Sequence, residues 1–67
     1  MSDMLLQALK KKLEGDVAVA KANIMIFKDK SVGIGEHSDI VEAIQEELDK
    51  MAHAEDRIEM LEKYFSA

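Results

Sequence analysis

Apolar residues recur along the first half of the chain at Leu6, Leu9, Leu13, Val17, Ala20, Ile24 and Phe27, in steps of three and four. Such steps return to one side of a 3.6-residue turn, so they predict an amphipathic helix over about residues 3–27. Leu5, Ala18, Ala22 and Met25 widen the stripe, Ser2 is a good N-cap, and Asp3 places a negative charge at the positive end of the helix dipole. The pattern restarts at Ile40, Ile44, Leu48, Met51, Ile58, Leu61 and Phe65, with Glu55 as its one charged interruption, and predicts a second helix over about 39–65. Only Asn23-Ile24-Met25-Ile26-Phe27 competes as a strand. A lone strand would leave its backbone groups unpaired, so helix is the expectation there too.

Residues 28–38 interrupt the stripe and predict a hinge. Gly33 and Gly35 supply the freedom for a reversal, and Val32 and Ile34 offer apolar side chains to tuck beneath it. About ten residues is long for a connection between antiparallel helices. Gly33-x-Gly35 does not extend to a dinucleotide fingerprint, since Ser38 stands where the third glycine belongs, and no Lys-Ser or Lys-Thr pair completes a P-loop. Glu36, His37 and Asp39 are ligand-type side chains in one loop. The commoner use of such residues is to cap the next helix, and Asp39-x-x-Glu42 has the spacing of a capping box.

The expected fold class is therefore all-α: a two-helix antiparallel hairpin forming a single domain over 1–67. Sixty-seven residues without a cysteine have neither a disulfide nor a thiolate metal site as a staple. A chain this short buries only about 60% of its unfolded surface. Self-association is the remaining source of stability, and two hairpins packed as a four-helix bundle would cover stripes wider than a two-stranded seam needs. The residues expected at that oligomer interface are Leu9, Leu13, Val17, Ile24, Ile44, Leu48, Met51, Ile58 and Leu61.

Charge is divided unevenly. Residues 1–30 carry six lysines against four acids, whereas residues 31–67 carry three basic and ten acidic groups, for a total of −5. Opposite signs favour the two segments lying side by side. An acidic total argues against nucleic acid as a partner, and no run of about 18–20 apolar residues is present to span a membrane. A soluble, cytoplasmic homo-oligomer, dimer or tetramer, is the expectation. Lys10-Lys11-Lys12 is the one basic cluster; it reads as a solvated face supported by Lys10–Glu14 and Lys12–Asp16 spacing. Gly15 interrupts the first helix, and a close helix crossing beside Ala18 and Ala22 would explain it, with a kink as the competing explanation.

No cofactor is implied. The Glu-x-x-His pair of carboxylate-bridged di-iron bundles is missing, because Lys50 and Ile34 precede His53 and His37 by three. The chain has no cysteine nucleophile, and its few serines lie at the ends and the hinge, so the expectation is a protein without catalytic activity. Lys21-Ala22-Asn23-Ile24, then Val32-Gly33-Ile34-Gly35-Glu36-His37-Ser38-Asp39-Ile40, then Ala54-Glu55-Asp56 with Leu61-Glu62, resemble short proteins of large tailed phages of marine bacteria and of marine environmental DNA. That resemblance implies a phage origin and carries no activity or site residue. The leading expectation is a small self-associating interaction or scaffold protein that presents its hinge or an acidic helix face to an unidentified protein partner. The alternative is a ligand- or metal-binding module built on Gly33–Asp39.

Overall fold

The computed structural model describes residues 3–30 and 38–67 and contains two helices, α1 (Asp3–Lys30) and α2 (Ser38–Phe65), with no strand among the described residues. The hinge residues Gly33, Ile34, Gly35, Glu36 and His37 lie outside the described residues. Asn23 to Phe27 are helical, as expected. Helix α1 continues through Lys28, Asp29 and Lys30, three residues past the expected end. Polar residues off the stripe do not stop a helix, and Lys28 and Lys30 suit the negative end of its dipole.

The two helices lie antiparallel. Lys10, early in α1, pairs with Glu62, late in α2, while Asn23 reaches back to Glu47. The result is a thin rod, 54 × 14 × 11 Å. Both helices have the same length, 28 residues, so neither overhangs the other by much.

Burial shows the register of the seam between them. On α1 the covered positions include Leu6, Lys10, Leu13, Val17, Ala20, Ile24 and Phe27. On α2 they include Ile40, Ile44, Glu47, Met51, Ala54, Ile58 and Leu61. Each series alternates strictly between steps of four and three, which is the 3.5-residue repeat of a coiled-coil seam. Hydrophobic spacing alone departs from this register at three places. Leu9, Leu48 and Glu55 are exposed, and their neighbours Lys10, Glu47 and Ala54 occupy the seam instead. The charged interruption of the second stripe is thus Glu47 rather than Glu55.

The apolar core is small and sits towards the end of the rod where the chain begins and ends. Leu13, Ala54 and Leu61 form it, with Leu6, Val17, Ile58 and Ala67 packed around. Ala20 is buried beyond this cluster. Alanine at both Ala20 and Ala54 lets the helix axes approach closely, since interaxial distance follows side-chain size at the contact. Gly15 does not mark a close crossing: a methyl group built there meets nothing within 4 Å, and Ala18 and Ala22 are exposed. Its place is the outer face of α1.

Two stability measurements follow from this packing. Gly15→Ala restricts the unfolded chain and adds a helix former in open space, so it should raise stability by about 0.5–1 kcal/mol in denaturant melts. Leu13→Ala removes the largest buried side chain of α1 and should lower stability by about 2–5 kcal/mol. No gain in the first variant would point to a role for Gly15 that its open surroundings do not reveal.

Candidate functional site

The feature that hydrophobic spacing does not anticipate is a buried carboxylate. Glu47 falls on a seam position of α2 and is only 6% exposed. Its Oε1 accepts a hydrogen bond of 2.8 Å from Asn23 Nδ2 across the seam. Its Oε2 accepts one of 2.8 Å from Lys50 Nζ, one turn further along α2. Lys50 is largely exposed, with 65% of its side chain open to solvent, and its ammonium brings charge to the carboxylate. The hydrogen bond from Lys50, then that from Asn23, holds the Glu47 carboxyl below its ordinary pKa despite the opposing effect of burial. The same contact raises the Lys50 ammonium above its usual value. Lys50 therefore serves Glu47 at i, i+3 on the same helix.

A second polar anchor closes the other end. Lys10 is half-buried, with 21% of its side chain exposed, and its Nζ lies 3.1 Å from Glu62 Oε2. The same ammonium donates to the main-chain oxygen of Ala67 at 2.7 Å. Ser66 takes a left-handed φ of 56°, which turns the chain so that the Ala67 amide donates to the Leu61 carbonyl at 3.2 Å. A left-handed residue just past a helix is a common way to satisfy its last carbonyls. Of the lysine cluster, then, only Lys11 and Lys12 fit the reading as a solvated face; Lys12 pairs with Asp16 at 2.8 Å as expected.

Seven of the nine residues expected at the oligomer interface, Leu13, Val17, Ile24, Ile44, Met51, Ile58 and Leu61, are buried or half-buried. The hairpin's own seam occupies them. Leu9 and Leu48 remain exposed, at 44% and 51%, and they fall on opposite broad faces of the rod. Leu9 belongs to a face where it forms a shallow apolar cleft with Met60, Leu61 and Phe65 beside His53 and Arg57. Those two residues also border the next cleft along the same face, which holds Asp16, Val19, Asn23 and Lys50. The other face is polar in its middle, where Glu14 and Lys21 of α1 meet Glu55 and Glu62 of α2.

Chemistry beyond packing has few supports. Among the described residues no group of three or more His, Asp or Glu side chains is placed to hold a metal ion, and no helix is long and apolar enough to cross a membrane. His53 is exposed on the second helix. The ligand-type residues Glu36 and His37 lie outside the described residues, and Asp39 sits in the first turn of α2. Comparison with protein-family models, curated proteins and solved structures finds no match.

The Glu47 contacts predict a pH dependence whose sign is fixed. The folded state lowers this carboxyl's pKa, so its contribution to stability is complete above the ordinary value of 4.5 and disappears as pH falls through the lower folded value. Glu47→Gln keeps the shape and removes the charge. The stability difference between the two proteins should hold from pH 7 to 5 and then shrink towards pH 3. A difference that stays constant over that range would mean that the charge of Glu47 is not what the seam uses.

Proposed function

We propose that this chain is a non-catalytic, cytoplasmic interaction protein that works as a self-associated pair of hairpins, a four-helix bundle that displays the acidic outer surface of α2 to another protein. The observation that carries the proposal is the imbalance of apolar side chains. Among the described residues the buried hydrophobic core is Leu13, Ala20, Ala54 and Leu61, whereas eleven large hydrophobics stand exposed, Leu5 and Met4 at 78% among them. Single exposed apolar residues are ordinary; this many on a rod with so little core support an interaction surface. The outer side of α2 offers Glu42, Asp49, Asp56 and Glu59, all exposed, so the surface left after assembly would be strongly acidic.

The test is solution mass by light scattering at several concentrations, with helicity followed by circular dichroism. A helical species at twice 7.5 kDa or more is expected. A helical monomer at all concentrations would overturn the proposal. Two variants distinguish the seam from the exposed surface. Ile58→Asp places a charge against the core and should unfold the chain, while Leu48→Asp falls on an exposed position and should leave the hairpin helical.

A further inference from the structure

We infer that the second copy docks on the face carrying Leu9, Met60 and Phe65, with the two-fold axis along the length of the rod, so that α1 of each copy lies on α2 of the other. This deepens the self-association proposed above and rests on it. Three observations point to this face and this orientation.

The first is area. The chain exposes 5210 Å², whereas a compact monomer of 7.5 kDa exposes about 4,200 Å². The surplus, about 1,000 Å² per chain, is of the size that one partner buries in a stable interface, about 800 Å². A second copy laid along the rod removes that much surface without any change in the hairpin.

The second is the distribution of apolar side chains. In the seam register Leu5, Leu9, Val19, Ile26, Met60 and Tyr64 fall on one broad face, and Phe65 lines its cleft. The opposite face has Met4, Met25, Val41 and Leu48, separated by Glu14, Lys21, Glu55 and Glu62. The apolar side chains of the first face are densest at the terminal end, around the Leu9–Met60–Phe65 cleft. An axis along the rod sets this end of one copy on the same end of the other. An axis across the rod would instead set it on the hinge end.

Charge is the third. Helix α1 carries six lysines and four acids; α2 carries nine acids and three bases. The lengthwise axis places α1 against the partner's α2, opposite signs together, and neighbouring helices antiparallel throughout. The crosswise axis would place the two α2 helices on each other, and like charges across an interface are unfavourable.

Light scattering on the full chain separates the face from the reading beneath it. Leu9→Lys with Met60→Lys should weaken dimerisation by at least about 100-fold while the hairpin stays helical, because both positions are already exposed. Val41→Lys with Leu48→Lys, on the other face, should leave the mass unchanged. If the wild type is a monomer, self-association itself fails. If it is a dimer that only the second pair of substitutions dissociates, self-association stands and the face is wrong. The chain has no cysteine, so single introduced thiols report the orientation cleanly. Leu9→Cys mixed with Met60→Cys should form an intermolecular disulfide under oxidising conditions, and Leu9→Cys mixed with Ile26→Cys should not. Cross-linking of the second mixture alone would show the crosswise axis and overturn the orientation.

Discussion

A carboxylate placed in the seam of a two-helix hairpin must find partners on every side or the hairpin does not form, and the rest of this structure is arranged around Glu47. Desolvating the charge is unfavourable by itself; what makes it tolerable is the simultaneous supply of an amide from Asn23 and an ammonium from Lys50. The two donors have different jobs. Lys50 lies on the same helix and offers its charge in any alignment of the two helices. Asn23 lies on the other helix and can reach Glu47 in only one. The periodic part of the seam would let α1 slide by a heptad and still set apolar rows facing each other. The Asn23–Glu47 contact is what distinguishes those alignments, the use best attested for polar groups in helical seams.

Lys10 repeats the device at the other end. Its ammonium binds Glu62 and the Ala67 oxygen together, tying the turn after α2 to the start of α1. With a polar contact near the middle and another at the end, the apolar residues between them are held in one register. They need to supply packing and little specificity. That division explains how so small a core, Leu13, Ala54 and Leu61, can suffice to define the hairpin. It also explains what the hairpin lacks. Seam positions given to Lys10 and Glu47 contribute less apolar burial than leucine would, and a chain of this length has little other interior from which to recover it.

The fold class, the two helices and their approximate limits are readable from hydrophobic spacing because that spacing is a direct consequence of one-sided burial. The register is not readable in the same way. Leu48 follows Ile44 by four and precedes Met51 by three, so by spacing it fits the stripe as well as Glu47 does, and by hydrophobicity better. Only the cross-helix partner, Asn23, tells them apart, and its relation to Glu47 is a contact between distant parts of the chain. A strict alternation of fours and threes was present in the sequence as a signal, since Ile40, Ile44, Met51, Ile58 and Leu61 keep it if Glu47 and Ala54 are admitted. Admitting a glutamate to a core stripe requires the structure to show what pairs with it. Lys10 escaped notice for the same reason: its partners are Glu62 and Ala67, at the far end of the chain.

The two broad faces of the rod then divide the remaining work. On one, charges of opposite sign from the two helices meet at the edge of the seam, Lys21 near Glu55 and Lys10 with Glu62, and that side is suited to water. On the other, part of the polar edge is taken up by contacts within the hairpin, Lys50 with Glu47 and Asp16 with Lys12, beside His53 and Arg57, and the apolar side chains around it are Val19, Leu9, Met60 and Phe65. Polar groups already paired within the hairpin have less to lose when water is removed than charges that depend on it. Of the two faces, the one with the denser bare apolar side chains, and with Lys50 already drawn onto Glu47, is the easier to desolvate. The carboxylate whose contact with Asn23 fixes the register of the hairpin also draws Lys50 onto itself, and so removes a bare charge from the surface proposed for the second hairpin.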